Sequence, residues 1–172
     1  MFPDALFHHC PRCGRKRPDG PPLQPFHCEG CGLTYYFNPT VAVAAILLES
    51  NGRALFIRRA KEPAKGKLAL PGGFVDIGET AEDALRREVR EEVGLAVGPL
   101  DFLCSRVNQY EYKGVTYPVL DFFFVTRAES TTAAVALDGV ESICWLELAQ
   151  LDFDEIAFPS ICAALQFYLA RR

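Results

Sequence analysis

Apolar and polar positions alternate in blocks whose periods change along the chain. Val41 to Glu49 is a near-continuous apolar run with β-branched residues, the pattern of a buried strand. Asn51-Gly52 follows, a two-residue hairpin signal, and Ala54 to Arg58 is expected to return as the partner strand. Ala60 to Lys67 contains Pro63 and Gly66 and reads as a loop. Leu68 to Val75 reads as a short strand broken by Pro71-Gly72-Gly73. The period then changes to four. Ala81, Leu85, Val89 and Val93 recur along one helical face, with Thr80 and Asp83 forming a capping-box-like start. Gly94, followed by Leu95, sits where a C′ glycine belongs. Tyr110 to Tyr117, with Gly114 in its middle, predicts a hairpin. Val119 to Val125 predicts an aromatic-rich strand, buried over Phe122 to Phe124. Arg127 to Gly139 is polar and small-residue rich, the pattern of a mobile loop, and Trp145 ends the next strand. After Pro159, the residues Ile161, Ala164, Leu165, Tyr168 and Leu169 predict an amphipathic closing helix. Strands and helices in this order make an α/β protein.

The first 40 residues follow none of these periods. Cys10, Cys13, Cys28 and Cys31 form two C-x-x-C pairs, each followed by glycine, Gly14 and Gly32. A C-x-x-C turn puts two sulfurs on one side of a tight knuckle, and the glycine can take the positive φ that closes it. Four thiolates complete a tetrahedral zinc shell. Phe7 to Tyr36 thus resembles a zinc ribbon, too small for an extensive core and dependent on its metal. His8, His9 and His27 are read as surface or packing residues. Cys104, Cys144 and Cys162 lie in apolar surroundings and are read as buried small hydrophobes.

Composition adds a constraint through its location. The 172 residues carry a net charge of −4, from 18 Lys+Arg against 22 Asp+Glu. Between Leu70 and Leu95 there are seven acids and three bases, so the whole excess falls in that segment. Such a balance argues against a duplex-DNA binder. No apolar run approaches the roughly 20 residues of a membrane span. Met1 to Cys10 lacks a basic start followed by an apolar stretch, so no secretory signal is expected, and a reducing, cytoplasmic setting is.

On the helix, Glu88, Glu91 and Glu92 fall within roughly 100° of one another, beside the apolar stripe. Glu88 and Glu92 are an i,i+4 pair of like charges, locally destabilising. Something positive should bind there. Gly73, Glu79 and the run Arg87-Glu88-Val89-Arg90-Glu91-Glu92-Val93-Gly94-Leu95 match every defined position of G-x5-E-x7-R-E-U-x-E-E-x-G-U, where U is a bulky aliphatic residue. This resembles the Nudix box. A four-cysteine ribbon ahead of it is similar to the NADH pyrophosphatase branch of that family.

The resemblance implies a Nudix-type α/β/α sandwich with a mixed sheet over 38–172, preceded by a zinc ribbon over 1–37. It implies hydrolysis of a nucleoside diphosphate linked to another group, with Mg²⁺ or Mn²⁺ on Glu88, Glu91, Glu92 and the carbonyl of Gly73. Glu79 and Arg87 would brace the site. The general base would be a box glutamate or a later acid. Glu141 is the best later candidate, ahead of Glu111, Glu129 and Asp138. Arg58, Lys65 and Lys67 are candidates for substrate phosphates, and one of Tyr110, Tyr112 and Tyr117 for stacking on the base; Tyr112 also matches a tyrosine of diadenosine-polyphosphate members. The downstream S-Q-P-W-P-F-P-x-S pattern of the NADH pyrophosphatases is absent from Cys104 to Tyr112, so the substrate stays open among ADP-ribose, NADH and similar dinucleotides. A homodimer is implied by resemblance alone. The competing reading is a nucleotide-sensing module whose ribbon recognises protein or nucleic acid.

Overall fold

The computed structural model describes residues 1–21, 24–128 and 132–171. Glu129 lies outside the described residues. The chain divides into two compact units, Met1–Pro39 with Gln109–Pro118, and Thr40–Asn108 with Val119–Arg172.

In the first unit, β1 (Phe26–His27) pairs antiparallel with β2 (Thr34–Tyr35). Its core is small: Cys10, Phe26 and Cys28 are buried, with Phe7, Cys31, Leu33 and Phe37 packed on them. The rings of Phe7 and Phe37 meet edge to face at 4.8 Å between centroids. The tip Gln109–Pro118 is tied to the chain's start by Thr116 N–H, which donates to Met1 O at 2.7 Å.

The second unit is built on β3 (Thr40–Leu48), β4 (Ala54–Arg59), β5 (Leu68–Ala69), β6 (Gly72–Phe74), β7 (Asp101–Tyr112), β8 (Val115–Arg127) and β9 (Val140–Leu146), with α1 (Ala81–Val93) and α2 (Pro159–Leu169). The tip joining β7 to β8 turns through Lys113 and Gly114, both at positive φ, and belongs to the first unit. The sheet order is β5-β4-β3-β8-β7, with β6 added on β3 and β9 on β4. β3 runs parallel to β8 from Thr40↔Val119 to Leu48↔Arg127 and antiparallel to β6, so the sheet is mixed.

The expected Asn51-Gly52 hairpin forms but is short, with Glu49 N–H also donating to Arg53 O at 3.0 Å. The turn forms, with Gly52 N–H donating to Glu49 O at 3.0 Å, but β3 and β4 meet in register at Leu48↔Ala54 alone. The hydrogen-bonding edges of β3 go instead to β8 and β6, and those of β4 to β9 and β5. Burial explains the preference. Val43, Ala45 and Leu47 on one face of β3, and Ile46 and Leu48 on the other, are all nearly inaccessible. A strand buried on both faces needs cover on both. Ala84, Leu85, Val89 and Val93 of α1 and Ile161, Ala164 and Leu165 of α2 join it in one continuous core, an α/β/α sandwich.

The ends of α1 are those its sequence predicts. Thr80 is extended and its hydroxyl oxygen accepts from Asp83 N–H at 3.1 Å; Gly94 is left-handed at φ 70°. Such an N-cap is worth about 1 kcal/mol. Pro159 opens α2 at N1, where its missing N–H costs nothing. No helix among the described residues is long and apolar enough to cross a membrane.

Candidate functional site

Two places gather ligand-type side chains. In the first unit, the sulfurs of Cys10, Cys13, Cys28 and Cys31 all lie within 4.8 Å of one another. Cys10 and Cys31 are 3.6 Å apart, as are Cys13 and Cys28. Disulfide bonds are near 2 Å, so these are four thiols. A tetrahedral ion with bonds of roughly 2.3 Å to sulfur would place its ligands about 3.8 Å apart, close to what is seen. The two knuckles repeat the same bonds. Gly14 N–H donates to Cys10 O at 2.9 Å and Gly32 N–H to Cys28 O at 2.8 Å, with both glycines at φ 72°. Cys10 N–H then donates to Arg15 O, and Cys28 N–H to Leu33 O.

The thiols cannot all ionise unaided. For Cys10, burial opposes the thiolate, but the N–H groups of Cys13 and Arg12 and the sulfurs of Cys28 and Cys31 outweigh it and lower its pKa. For Cys31, the Leu33 N–H favours the thiolate, yet burial and the other three sulfurs raise its pKa. A cation at the centre reverses that second effect. The cluster could therefore hold a metal ion.

The other place is the face of α1 towards β6. Arg87 is its hub. Its Nε donates to Glu79 Oε1 at 2.9 Å and its Nη2 to Glu79 Oε2 at 3.0 Å, a bidentate pair. Nη1 donates to Glu88 Oε1 at 2.7 Å and Glu91 Oε2 at 3.2 Å, and Nη2 also reaches Phe74 O at 3.0 Å. The positive charge demanded by the acidic stripe is thus supplied here by Arg87 from the same helix. This also explains why Glu88, Glu91 and Glu92 do not converge as tightly as the cysteines. Among the described residues, the four thiols are the group whose ligand atoms cluster. Arg87 stands between Glu88 and Glu91, while Glu92 Oε2 accepts from Gly72 N–H at 2.9 Å.

The glycine pair of β6 makes these contacts possible. A Cβ on Gly73 would lie 2.5 Å from the Glu88 carboxyl carbon, and one on Gly72 would fall on the carbonyl oxygen of Val43. The sequence singled out Gly73; the role of Gly72 as a donor to Glu92 went unseen, although its signal, the doubled glycine, was in view.

Environment separates the carboxylates. The Arg87 hydrogen bonds lower the pKa of Glu79, helped by Asp76 N–H. Burial raises Glu88 against the pull of Arg87. Burial raises Glu92 further, to about 8, with the Glu88 and Asp138 charges adding and the Gly72 N–H and Arg59 charge opposing. The structure therefore places Arg59 and Asp138 in the field of Glu92. Asp138 arrives there because its loop caps α1. The N–H groups of Val135, Leu137 and Asp138 donate to the carbonyls of Val93, Glu92 and Glu91 at 3.2, 2.9 and 3.3 Å. The described part of that loop, expected to be mobile, is tethered because the helix's last carbonyls need donors. Lys61 Nζ holds Asp138 at 3.0 Å.

The remaining candidates are dispersed. Glu141 is exposed on β9, where the register with β4 shifts between Arg58↔Ser142 and Arg59↔Val140. Arg58 donates to Gly66 O and pairs with Glu155 at 3.7 Å; Lys67 donates to Asp154 O at 2.6 Å. Both brace loops. Lys65 is exposed. Tyr112 belongs to the first unit, with Lys113 Nζ 5.2 Å from its ring centroid, and Glu111 is exposed beside it.

With this geometry in place, likeness to known proteins adds weight. The family model described as the NUDIX domain matches residues 38–163. An ADP-ribose pyrophosphatase of Methanocaldococcus jannaschii is 52% identical over 60 residues, 35% of this chain and 35% of that protein. A protein named NAD-capped RNA hydrolase, from Chromobacterium violaceum, is 39% identical over 80 residues, 46% of this chain and 29% of the other. The matches thus span about a third of these relatives' lengths. A crystal structure of a Nudix hydrolase from Nitrosomonas europaea superposes with a TM-score of 0.72 at 25% identity, covering 95% of this chain and 91% of that one.

Proposed function

The chain belongs to the Nudix family, and from that membership we propose that it is a divalent-metal-dependent pyrophosphohydrolase acting on a nucleoside diphosphate derivative such as ADP-ribose or a related dinucleotide. The observation that carries the reading is the assembly of Glu88, Glu91 and Glu92 against the Gly72-Gly73 pair, organised by Arg87. The names of the relatives favour substrates with a diphosphate between two nucleosides or between a nucleoside and a sugar.

The reaction adds one water across P–O–P. A new P–O bond forms at one phosphorus, the bridging P–O bond breaks, and two phosphate esters leave with release of a proton. The donor set suits hard Mg²⁺ or Mn²⁺, with Glu88, Glu91 and Glu92 and the Gly73 carbonyl as ligands. A bound ion would supply Lewis acidity and lower the pKa of attacking water. Glu79 holds the Arg87 guanidinium, and Arg87 holds Glu88 and Glu91 in place. Glu141 remains a base candidate; Asp138 gains ground from its influence on Glu92. Lys65, exposed, is the better phosphate contact, since Arg58 and Lys67 are engaged elsewhere. In the first unit, Zn²⁺ on Cys10, Cys13, Cys28 and Cys31 would be structural, because four thiolates leave no open position.

The test is a panel of ADP-ribose, NADH, NAD⁺, diadenosine polyphosphates and nucleoside triphosphates with Mg²⁺ or Mn²⁺. Hydrolysis of at least one diphosphate is expected. Glu91→Gln and Glu92→Gln should each reduce it by orders of magnitude while circular dichroism stays unchanged. Absence of turnover on the whole panel, or wild-type rates in both variants, would sink the reading.

A further inference from the structure

Arg59 ends β4 where a loop leaves and returns. Its N–H donates to Lys67 O at 3.0 Å, and its carbonyl accepts from Gly66 N–H at 2.8 Å, so its backbone is fixed at the neck of that loop. Across the sheet it faces Val140 of β9, past a register shift that leaves Glu141 without a partner on β4. Strands bend at such a bulge, which re-aims the side chains beside it. The residues that follow lead to α1. Ala60 N–H donates to Gly139 O at 3.0 Å, and Lys61 Nζ reaches Asp138 Oδ1 at 3.0 Å. The N–H groups of Asp138 and Leu137 in turn donate to the carbonyls of Glu91 and Glu92. A short chain of hydrogen bonds thus joins the end of β4 to the turn of α1 that carries those two acids.

The guanidinium is held but not saturated. Its Nε donates to Pro63 O at 2.8 Å, and it lies over the Phe158 ring, 5.0 Å from the centroid. A carbonyl on Nε and a ring against one face leave the far edge, Nη1 and Nη2, which makes no hydrogen bond or ion pair with the described residues. That edge is a fork for two oxygens of one phosphate or carboxylate. Arg59 is half-buried, so the fork is ordered in advance rather than drawn out of solvent. The neighbouring cations differ. Arg87 and Lys61 are paired with acids, Arg58 and Lys67 brace loops, and Lys65 is exposed. The Arg59 charge also acts on Glu92, so the guanidinium stands within the field of the acidic stripe.

We propose that Arg59 clamps the substrate's diphosphate, its Nη1 and Nη2 taking two non-bridging oxygens of one phosphate beside the Glu92 end of α1. The inference rests on the pyrophosphohydrolase reading and names a residue that the spacing of the sequence did not single out. A cation next to carboxylates that gather metal opposes them by like charge, unless an anion arrives as well. A diphosphate is that anion, with charged non-bridging oxygens on each phosphorus. Arg59 would hold it in the ground state and the transition state alike, so its loss should appear chiefly in KM.

A purely structural role is the alternative, in which Arg59 only ties Pro63 to Phe158 at the start of α2. That role would lower the melting temperature and weaken every ligand alike. The experiment measures AMP and adenosine binding by calorimetry in Mg²⁺, and KM and kcat for the diphosphate hydrolysed fastest. Wild type should bind AMP more tightly than adenosine. Arg59→Gln should weaken AMP by roughly ten- to hundred-fold, the range for one hydrogen bond to a charged group, and leave adenosine binding as it was. KM should rise by a similar factor, more than kcat falls. Arg59→Lys keeps the charge without the fork and should lie between wild type and Arg59→Gln. If Arg59→Gln does not fold, Arg59→Lys decides: weaker AMP binding supports the clamp, and wild-type affinity overturns it. A wild type that binds AMP no better than adenosine overturns it too, as does a folded Arg59→Gln with unchanged AMP affinity or an equal loss for both ligands. Because AMP binding needs no turnover, a chain that hydrolyses nothing leaves this test readable, and a hydrolase indifferent to Arg59 fails the clamp alone.

Discussion

The four cysteines and the three glutamates are opposite solutions to holding charge. The cysteines converge within 4.8 Å with little else to hold their unit together: buried Phe26 and a ring cluster around Phe7. The glutamates are spread along one face of a helix whose other face is locked into the main core by Leu85, Val89 and Val93. Under the proposed metal roles, the ligands make the fold in one unit and the fold places the ligands in the other. Arg87 marks the difference. The glutamates have an internal cation, bonded to Glu79, Glu88 and Glu91, and can stand without metal. Nothing comparable is needed at the cysteines if an ion supplies the charge.

The largest expected effect follows directly. Chelation, or Cys28→Ser, should abolish ordered structure across residues 1–39, because metal binding in such ribbons contributes on the order of 10 kcal/mol or more to folding. Hydrogen exchange should rise there and stay low over α1 and β3. Uniform protection after complete metal removal would break the comparison. At the glutamates, metal should only add to an existing fold. Saturating Mg²⁺, at about 100 times its Kd, should stabilise the protein by about 2.7 kcal/mol, read as a rise in melting temperature. No rise at millimolar Mg²⁺ would count against the stripe as a metal site.

The glycine pair sharpens the same contrast within two residues. Gly73→Ala would put its Cβ against the mobile end of Glu88, so the side chain must swing while the strand survives. Turnover should fall by roughly 10²-fold, the cost of a displacement near 1 Å, with little change in melting temperature. Gly72→Ala would meet the backbone of Val43 and Ala44, which cannot give way, and should lower stability instead. If both variants lose stability equally, position 73 is serving the strand rather than the site.

What the sequence disclosed and what it concealed divide along local and non-local interactions. The knuckle glycines Gly14 and Gly32, the Thr80 cap and the Gly94 stop are each determined within a few residues, and all form as expected. The box spacing likewise brought Glu79, just before the Thr80 cap, to Arg87 two helical turns on. The pairing of β3 was concealed, because its nine-residue partner begins at Val119 and only burial on both faces favours it over the nearby hairpin. Arg59 was concealed for a related reason. Beside Arg58 it reads as one more base at a strand's end, and the chain that joins it to α1, Asp138 to Val140, is distant in sequence. That Arg58 and Lys67 are occupied by Glu155 and Asp154 likewise depends on chain about 90 residues away.

The smallest effect concerns Glu79, which contributes to the architecture of the site without joining the acidic stripe. Its bidentate bond to Arg87 holds its pKa below the ordinary 4.5. Between that lowered value and 4.5, the unfolded chain binds more protons at this position than the folded one. The stability from the pair is therefore fully present above pH 4.5 and is lost as pH falls through the folded pKa. Glu79→Gln removes the titrating group and leaves a hydrogen-bonding amide. Its melting temperature should lie below wild type at pH 7, and the gap should narrow on acidification below pH 4.5. Because Arg87 keeps Glu88 and Glu91 as partners, the loss at neutral pH should be modest, and kcat should fall more than melting temperature as the guanidinium loses its fixed direction. A gap that stays constant from pH 7 to pH 3 would show that Glu79 acts through packing rather than charge, and that the acidic helix is braced by Arg87 alone.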